Sequence, residues 1–162
     1  MTRLRVPVQL RWADMDAYGH VNNVQMLQLL EEARIEAFWT HPDPPADGHP
    51  TAVLDAGPGA GTTTLVARQE IEYLRPLAYR RNPVVIELWV GHLGGASVDV
   101  CYQVLDAGSG DSDAYARACT TLVLVDTTTG RPRRITEAER AAWSPYLGEM
   151  IALRRRRGPD AG

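Results

Sequence analysis

Leu4, Val6, Val8, Leu10 and Trp12 alternate with Arg3, Arg5, Pro7, Gln9 and Arg11. A period of two marks a strand with one buried face, so the chain is expected to open on a β-strand. Pro7 cannot donate a ladder hydrogen bond, which suggests an edge or a strand start. The period then changes. Met26, Leu29, Leu30, Ala33 and Ala37 share one helical stripe and predict a helix from Val24 to about Trp39. Asn22 or Asn23 can cap it. Ile35 and Trp39 fall nearly opposite the stripe, so a second apolar surface is expected over that side. Glu31, Glu32, Arg34 and Glu36 supply the polar remainder.

From His41 to Gly61 the chain is rich in Pro, Gly and Asp and reads as a loop. Four strand-like runs follow: Leu65–Leu74, Val84–Gly91, Ser97–Leu105 and Tyr115–Val125. Gly94-Gly95 marks a hairpin turn, and Gly108-Ser109-Gly110-Asp111 a looser one. Thr136 to Trp143 suits a short closing helix, with Thr136 as cap and Glu139 in the capping-box position. The order is strand, long helix, then four strands expected in meander. A single helix on a five-stranded, mainly antiparallel sheet is an α+β layer architecture. One helix leaves part of such a sheet uncovered, and two copies about a two-fold axis would hide it.

With 162 residues, one domain is expected over 1–145, with a basic tail over 146–162. A formal net charge of -3 gives no general case for nucleic-acid binding. No apolar run of about 18 residues offers a membrane span. The first residues lack the apolar core of a secretion signal, which favours a cytoplasmic location. Cys101 and Cys119 lie in strand-like runs and are expected as free, packed thiols, with a structural disulfide as the alternative. His20, His41, His49 and His92 are scattered without metal-ligand spacing. No metal and no cofactor is expected. No Gly-x-Ser-x-Gly elbow and no phosphate loop is present.

The chemistry gathers in Arg11-Trp12-Ala13-Asp14-Met15-Asp16-Ala17-Tyr18-Gly19-His20-Val21-Asn22-Asn23. This junction joins the first strand to the helix. It sets carboxylates, an imidazole and two carboxamides beside the free N–H groups and positive end of a helix. Such a place can polarise a carbonyl. A partly desolvated carboxylate there gains basicity and can activate water. Asp16 can equally be a loop residue capping a turn, and His20 a structural histidine bonded to the loop backbone. Asp14 more simply shapes the loop or pairs with Arg11. Gly19 reads as a backbone requirement, either a positive φ or a close approach.

Asp14-x-Asp16-x-x-Gly19-His20-Val21-Asn22-Asn23, followed by Leu30-Glu31-Glu32-Ala33-Arg34, resembles the hotdog-fold acyl-CoA thioesterases of the 4-hydroxybenzoyl-CoA thioesterase type. The His-Val-Asn-Asn portion is also similar to acyl-ACP thioesterases. Tyr73-Leu74-Arg75-Pro76-Leu77 and the Gly-rich turn ending at Ser97 look family-like as well. The resemblance implies a hotdog fold, in which a five-stranded sheet wraps one long central helix. It implies hydrolysis of an acyl-CoA, with an acyl carrier protein as the alternative carrier and a non-catalytic acyl-CoA-binding protein as the alternative role. It makes Asp16 the general base or nucleophile, His20 a catalytic partner, and the backbone N–H near Asn23 the oxyanion donor. Gly19, Val21, Asn22, Met26, Glu32 and Tyr73 would line the substrate site. Arg75, Arg80, Arg81 and the tail from Arg154 to Arg157 would face the carrier's phosphates, and Ser97 the pantetheine arm. Such proteins assemble as homodimers or homotetramers, with sites built from both subunits. The chain departs at Met26, where the family usually has an aromatic residue, and at Tyr18, where the plant enzymes carry an Asn.

Overall fold

The computed structural model describes residues 2–43 and 48–154. Five strands form one antiparallel sheet: β1 (Leu4–Val8), β2 (Thr62–Tyr73), β3 (Val84–Leu93), β4 (Ser97–Leu105) and β5 (Ala116–Asp126). Their spatial order is β1-β3-β4-β5-β2. The expected meander therefore holds only for β3, β4 and β5. β2 pairs outside β5, so the chain crosses the sheet between Tyr73 and Val84. β1 and β2 are the two edges, and Pro7 sits in an edge strand, where its missing donor costs least. The strand alternation ends sooner than its pattern. Leu10 stays buried, but Trp12 stands 76% exposed, because a 3-10 turn at Trp12–Asp14 rotates it out of register.

Helix α1 (Asn23–Phe38) lays Met26, Leu29, Leu30, Ala33, Ala37 and Phe38 into the core. They join the inward residues of the sheet, among them Val6, Ile86, Leu88, Val100, Tyr102 and Leu122. Ile35 is exposed, as its position opposite the stripe requires of a single chain. Arg34 departs from the expected polar face. It is buried, and its Nη1 donates to the hydroxyl of buried Tyr102 at 3.2 Å.

The loop after α1 is partly pinned. Leu54 bridges to Trp39, and the carbonyl of buried Thr51 accepts from Trp143 Nε1 at 3.0 Å. Trp143 closes helix α2 (Glu137–Trp143) and meets Phe38 edge-to-face at 5.8 Å. The capping box is formed: Glu139 N–H donates to Thr136 Oγ1 at 3.1 Å, and Thr136 N–H to the Glu139 carboxylate at 2.9 Å. Beyond α2 the chain does not leave as a solvated tail at once. Leu147 bridges to Val90, Gly148 N–H donates to the Val90 carbonyl at 2.9 Å, and Trp89 Nε1 donates to the Glu149 carbonyl at 2.8 Å. Residues 147–154 thus form a strap over the sheet face opposite α1. The rest of the expected tail, including Arg155, Arg156 and Arg157, lies outside the described residues. Among the described residues, no helix is long and apolar enough to cross a membrane.

Candidate active site

Past Leu10 the chain must turn from a strand into a helix, and Asp14 fixes the turn. Its fully buried carboxylate accepts from the Arg11 N–H at 2.7 Å, Arg11 Nε at 3.1 Å and Arg11 Nη2 at 2.8 Å. Its carbonyl accepts from the Asn22 N–H at 2.8 Å, which sets the start of α1. The expected pairing of Asp14 with Arg11 is therefore present and structural.

Asp16 to Val21 form a tight loop on that platform. Asp16 N–H donates to the His20 carbonyl at 2.8 Å, and Gly19 N–H to the Asp16 carbonyl at 3.1 Å. Gly19 adopts φ +75° with nothing within 4 Å of where a Cβ would stand. Of the two readings of this glycine, conformation is therefore the operative one, and close approach is not. Asp16 Oδ1 accepts from Tyr18 N–H at 2.8 Å and His20 N–H at 3.3 Å. Oδ2 takes no hydrogen bond from any described residue. Turn capping and chemistry are thus not exclusive here: one oxygen holds the loop and the other remains free. His20 meets Asp16 through its backbone, not its ring.

The loop is tied to the segment after β2. Val21 N–H donates to the Leu77 carbonyl at 2.7 Å, and His20 bridges to Ala78. Asn22 is the N-cap of α1, its Oδ1 accepting from Val24 N–H at 2.9 Å. Asn23 is the first helical residue, and its N–H has no intrahelical acceptor. Tyr73 Oη donates to the Asn23 carbonyl at 2.6 Å. The free carboxylate oxygen and the amide end of α1 therefore belong to one short, braced stretch of chain.

The remaining expected residues divide. Arg75 and Arg80 lie at this end of the sheet, stacked with their Cζ atoms 3.7 and 5.4 Å from the Tyr115 ring centroid. Arg75 Nε donates to the Asp113 carbonyl at 3.1 Å, and Arg80 pairs with Asp106. Burial works against the Arg80 charge, but Tyr115 and Asp106 outweigh it and hold its pKa above the ordinary value. Arg81 is exposed, and its carbonyl accepts from Gln9 Nε2 at 2.7 Å. Tyr115 and Asp106 had no sequence signal, since an Asp before a Gly turn is ordinary turn chemistry.

Three residues do not join Asp16. Met26 is buried in the core between α1 and the sheet. Glu32 faces the other side of α1, where a cleft of about 590 Å³ is lined by Arg5, Arg11, Gln28, Glu36 and His49. Ser97 opens β4 at the far end of the sheet, whereas the Asp16 loop follows Val8, which pairs with Val84 at the Leu105 end. At about 3.4 Å per residue, the nine-residue strand separates the two ends by roughly 27 Å within one chain. Among the described residues no group of three or more His, Cys, Asp or Glu is placed to hold a metal ion.

Comparison with known families settles the class. The model of the thioesterase-like superfamily matches residues 10–147, from the end of β1 through α2. The chain belongs to the thioesterase-like superfamily. Thioester hydrolysis is the activity class that this membership carries. The PA5185 protein from Pseudomonas aeruginosa is 25% identical, with 89% of this chain and 91% of that chain covered and a TM-score of 0.70. A thioesterase from Thermus thermophilus, solved with coenzyme A and Zn, is 27% identical over 90% of this chain and 95% of its own, with a TM-score of 0.61. A DHNA-CoA thioesterase from Staphylococcus aureus, at 16% identity and a TM-score of 0.67 over 90% and 91% of the two chains, shares the fold. No curated protein matches.

Proposed function

We propose that this superfamily member hydrolyses an acyl-CoA thioester to the free acid and coenzyme A, with Asp16 as its catalytic carboxylate. The observation that carries the reading is the divided state of Asp16: Oδ1 bound to two backbone N–H groups, Oδ2 free beside the start of α1. In this reading Oδ2 takes a proton from water as the water oxygen attacks the thioester carbonyl carbon. Direct attack by Oδ2, through an anhydride that water then opens, uses the same position. Charge builds on the carbonyl oxygen, and the Asn23 N–H stabilises it; one such donor contributes about 10²–10³ in rate in well-studied systems. Collapse breaks the C–S bond, and the leaving thiolate takes a proton, for which His20 is the candidate acid. Arg81 is the least committed cation near the mouth for coenzyme A phosphates, since Arg75 and Arg80 are already paired around Tyr115.

α1 serves in this reading as the central helix of a hotdog fold, wrapped by the sheet. The twelve-residue β2 has one unpaired edge and exposes Leu65 and Val66. A free edge of that length favours pairing with a second copy. Antiparallel pairing about a two-fold axis brings the Thr62 end of the partner's β2 to the Tyr73 end, beside the Asp16 loop. A homodimer is therefore part of the proposal, and a homotetramer would follow from a second interface.

The test is Asp16→Asn. The amide keeps an Oδ1 acceptor for Tyr18 and His20, so the loop is retained, but the side chain no longer accepts a proton. Free-thiol release across a panel of acyl-CoA chain lengths should fall by at least about 10²-fold. Unchanged turnover removes Asp16 from the chemistry. Binding without turnover by the parent protein, across the whole panel, would make it an acyl-CoA-binding protein. The same acyl group offered on a carrier protein distinguishes the two carriers.

A further inference from the structure

The sheet face opposite α1 carries a cluster that the thioesterase reading does not use. Cys101 in β4 and Cys119 in β5 are directly opposed Cα partners. Directly opposed residues in an antiparallel pair have Cα atoms about 4.5 or 5.5 Å apart, and both spacings fall inside the disulfide window of roughly 4.4–6.8 Å. Both thiols are free. Cys101 is fully buried and Cys119 is 9% exposed. With Trp89 they form a small apolar cluster separate from the main core, against which Ile151 of the strap packs.

Two further observations set this pair apart from ordinary packed cysteines. The first is Gly91. A Cβ there would stand 2.3 Å from Met150 Sδ and 2.7 Å from Cys101 Sγ. Two sulfur atoms, those of Met150 and Cys101, therefore share a hollow that exists only because residue 91 has no side chain. The second is access. Cys119 lines an open cleft of about 870 Å³ together with Glu70, Glu72, Met150, Ile151 and Arg154. A small solute can reach the pair along the edge of the strap without unfolding the sheet.

We propose that Cys101 and Cys119 are a reversible oxidation site, a vicinal cross-strand dithiol that closes to an intrachain disulfide with a hydroperoxide as oxidant. The sulfur of Cys101 attacks the outer oxygen of the peroxide, and the O–O bond breaks. The leaving hydroxide or alkoxide takes a proton. The sulfur of Cys119 then attacks the Cys101 sulfenic acid, forming the S–S bond, and its own proton leaves with the displaced hydroxyl as water. Two electrons pass from the sulfurs to the peroxide, and the dithiol loses two hydrogens in all. The electrostatics of the pair fit this division of labour. The Cys101 thiol is held below its ordinary pKa, chiefly by Cys119 with a contribution from the Ile151 backbone, while Cys101 and burial push Cys119 up. Thiolate character is what makes a cysteine the attacking sulfur.

The experiment uses the full-length, reduced protein without denaturant. It is treated with hydrogen peroxide at a few equivalents, quenched, and alkylated. Intact mass and non-reducing electrophoresis then read the product. The expected result is a monomer-sized species lighter by two hydrogens, with both cysteines lost to alkylation together and both restored by dithiothreitol. Cys119→Ser should instead stop at oxygen adducts on Cys101. The proposal is overturned if the native thiols do not react, if the parent protein gains oxygen atoms without losing hydrogens, or if the disulfide forms only between chains.

Discussion

The hydroxyl of Tyr73 donates to the carbonyl of Asn23 across 2.6 Å, joining the last residue of β2 to the first of α1. That bond braces the helix start whose Asn23 N–H is assigned the oxyanion. It also links the proposed catalytic end to the free edge strand. Tyr73→Phe removes the bond and keeps the ring. Tyr73 is half exposed, so the stability loss should be small, about 0.5–1 kcal/mol by urea denaturation. The effect on kcat should exceed what that loss explains, with KM for the acyl-CoA little changed. A raised KM with kcat unchanged would mean that Tyr73 acts only on binding.

His20 touches Asp16 through its backbone, and no described residue bonds its ring. His20→Ala should therefore leave stability within about 0.5 kcal/mol of the parent, the range of substitutions away from packed features. Its rate of thiol release should still fall, by about 10²-fold if the imidazole protonates the leaving thiolate. A substrate with a more acidic thiol leaving group should recover much of that loss. Failure of the better leaving group to recover it would assign His20 to the loop alone.

What the chain reveals in advance follows from the range of each interaction. The alternation of β1, the stripe of α1, the Asn22 cap and the Thr136–Glu139 box are set by residues within a few positions of one another, and each stands where its pattern placed it, except that the β1 pattern runs on to Trp12 while the strand stops at Val8. The position of β2 beside β5 is a choice among distant partners, which no local period encodes. Arg34 shows the same limit. Its helical position reads as polar surface, and only the arrival of Tyr102 from β4 makes it a buried donor. At the site, the structural roles of Asp14, Gly19 and Asn22 were legible because a turn from strand to helix has few chemical solutions, whereas the catalytic role proposed for Asp16 came from the family resemblance. The Tyr115–Asp106 partners of Arg75 and Arg80 come from another strand and a turn. Ser97 carried a motif but stands at the opposite end of its own sheet.

Glu139 gives the α2 latch a pH dependence. Burial pushes its carboxyl up, but the Arg133 guanidinium and the Thr136 N–H outweigh burial and hold it below the ordinary value of 4.5. The folded state therefore binds fewer protons than the unfolded chain in the interval just below that value. The stabilisation is complete above about pH 4.5 and is lost as pH falls through the folded-state pKa. Glu139→Gln should cost about 1–3 kcal/mol at pH 7. The gap between the two proteins should narrow steadily below pH 4.5 in urea titrations. A gap that stays constant with pH would show that charge on Glu139 does not contribute.

Gly19 separates conformation from contact. Its φ of +75° lies in the left-handed region, and the space around a Cβ is open. Gly19→Ala should therefore lose about 1–2 kcal/mol through backbone strain alone. Gly19→Asn has the larger side chain but tolerates this region better. It should be the more stable of the two variants. If instead the loop follows the strain and flips, the Tyr18 and His20 N–H groups leave Asp16 Oδ1, and thiol release falls further in Gly19→Ala than in Gly19→Asn. Thermal melts and thiol release on the same preparations decide it. A larger loss for Asn than for Ala in both would mean that something outside the single chain, such as a neighbouring subunit, occupies the space over Gly19.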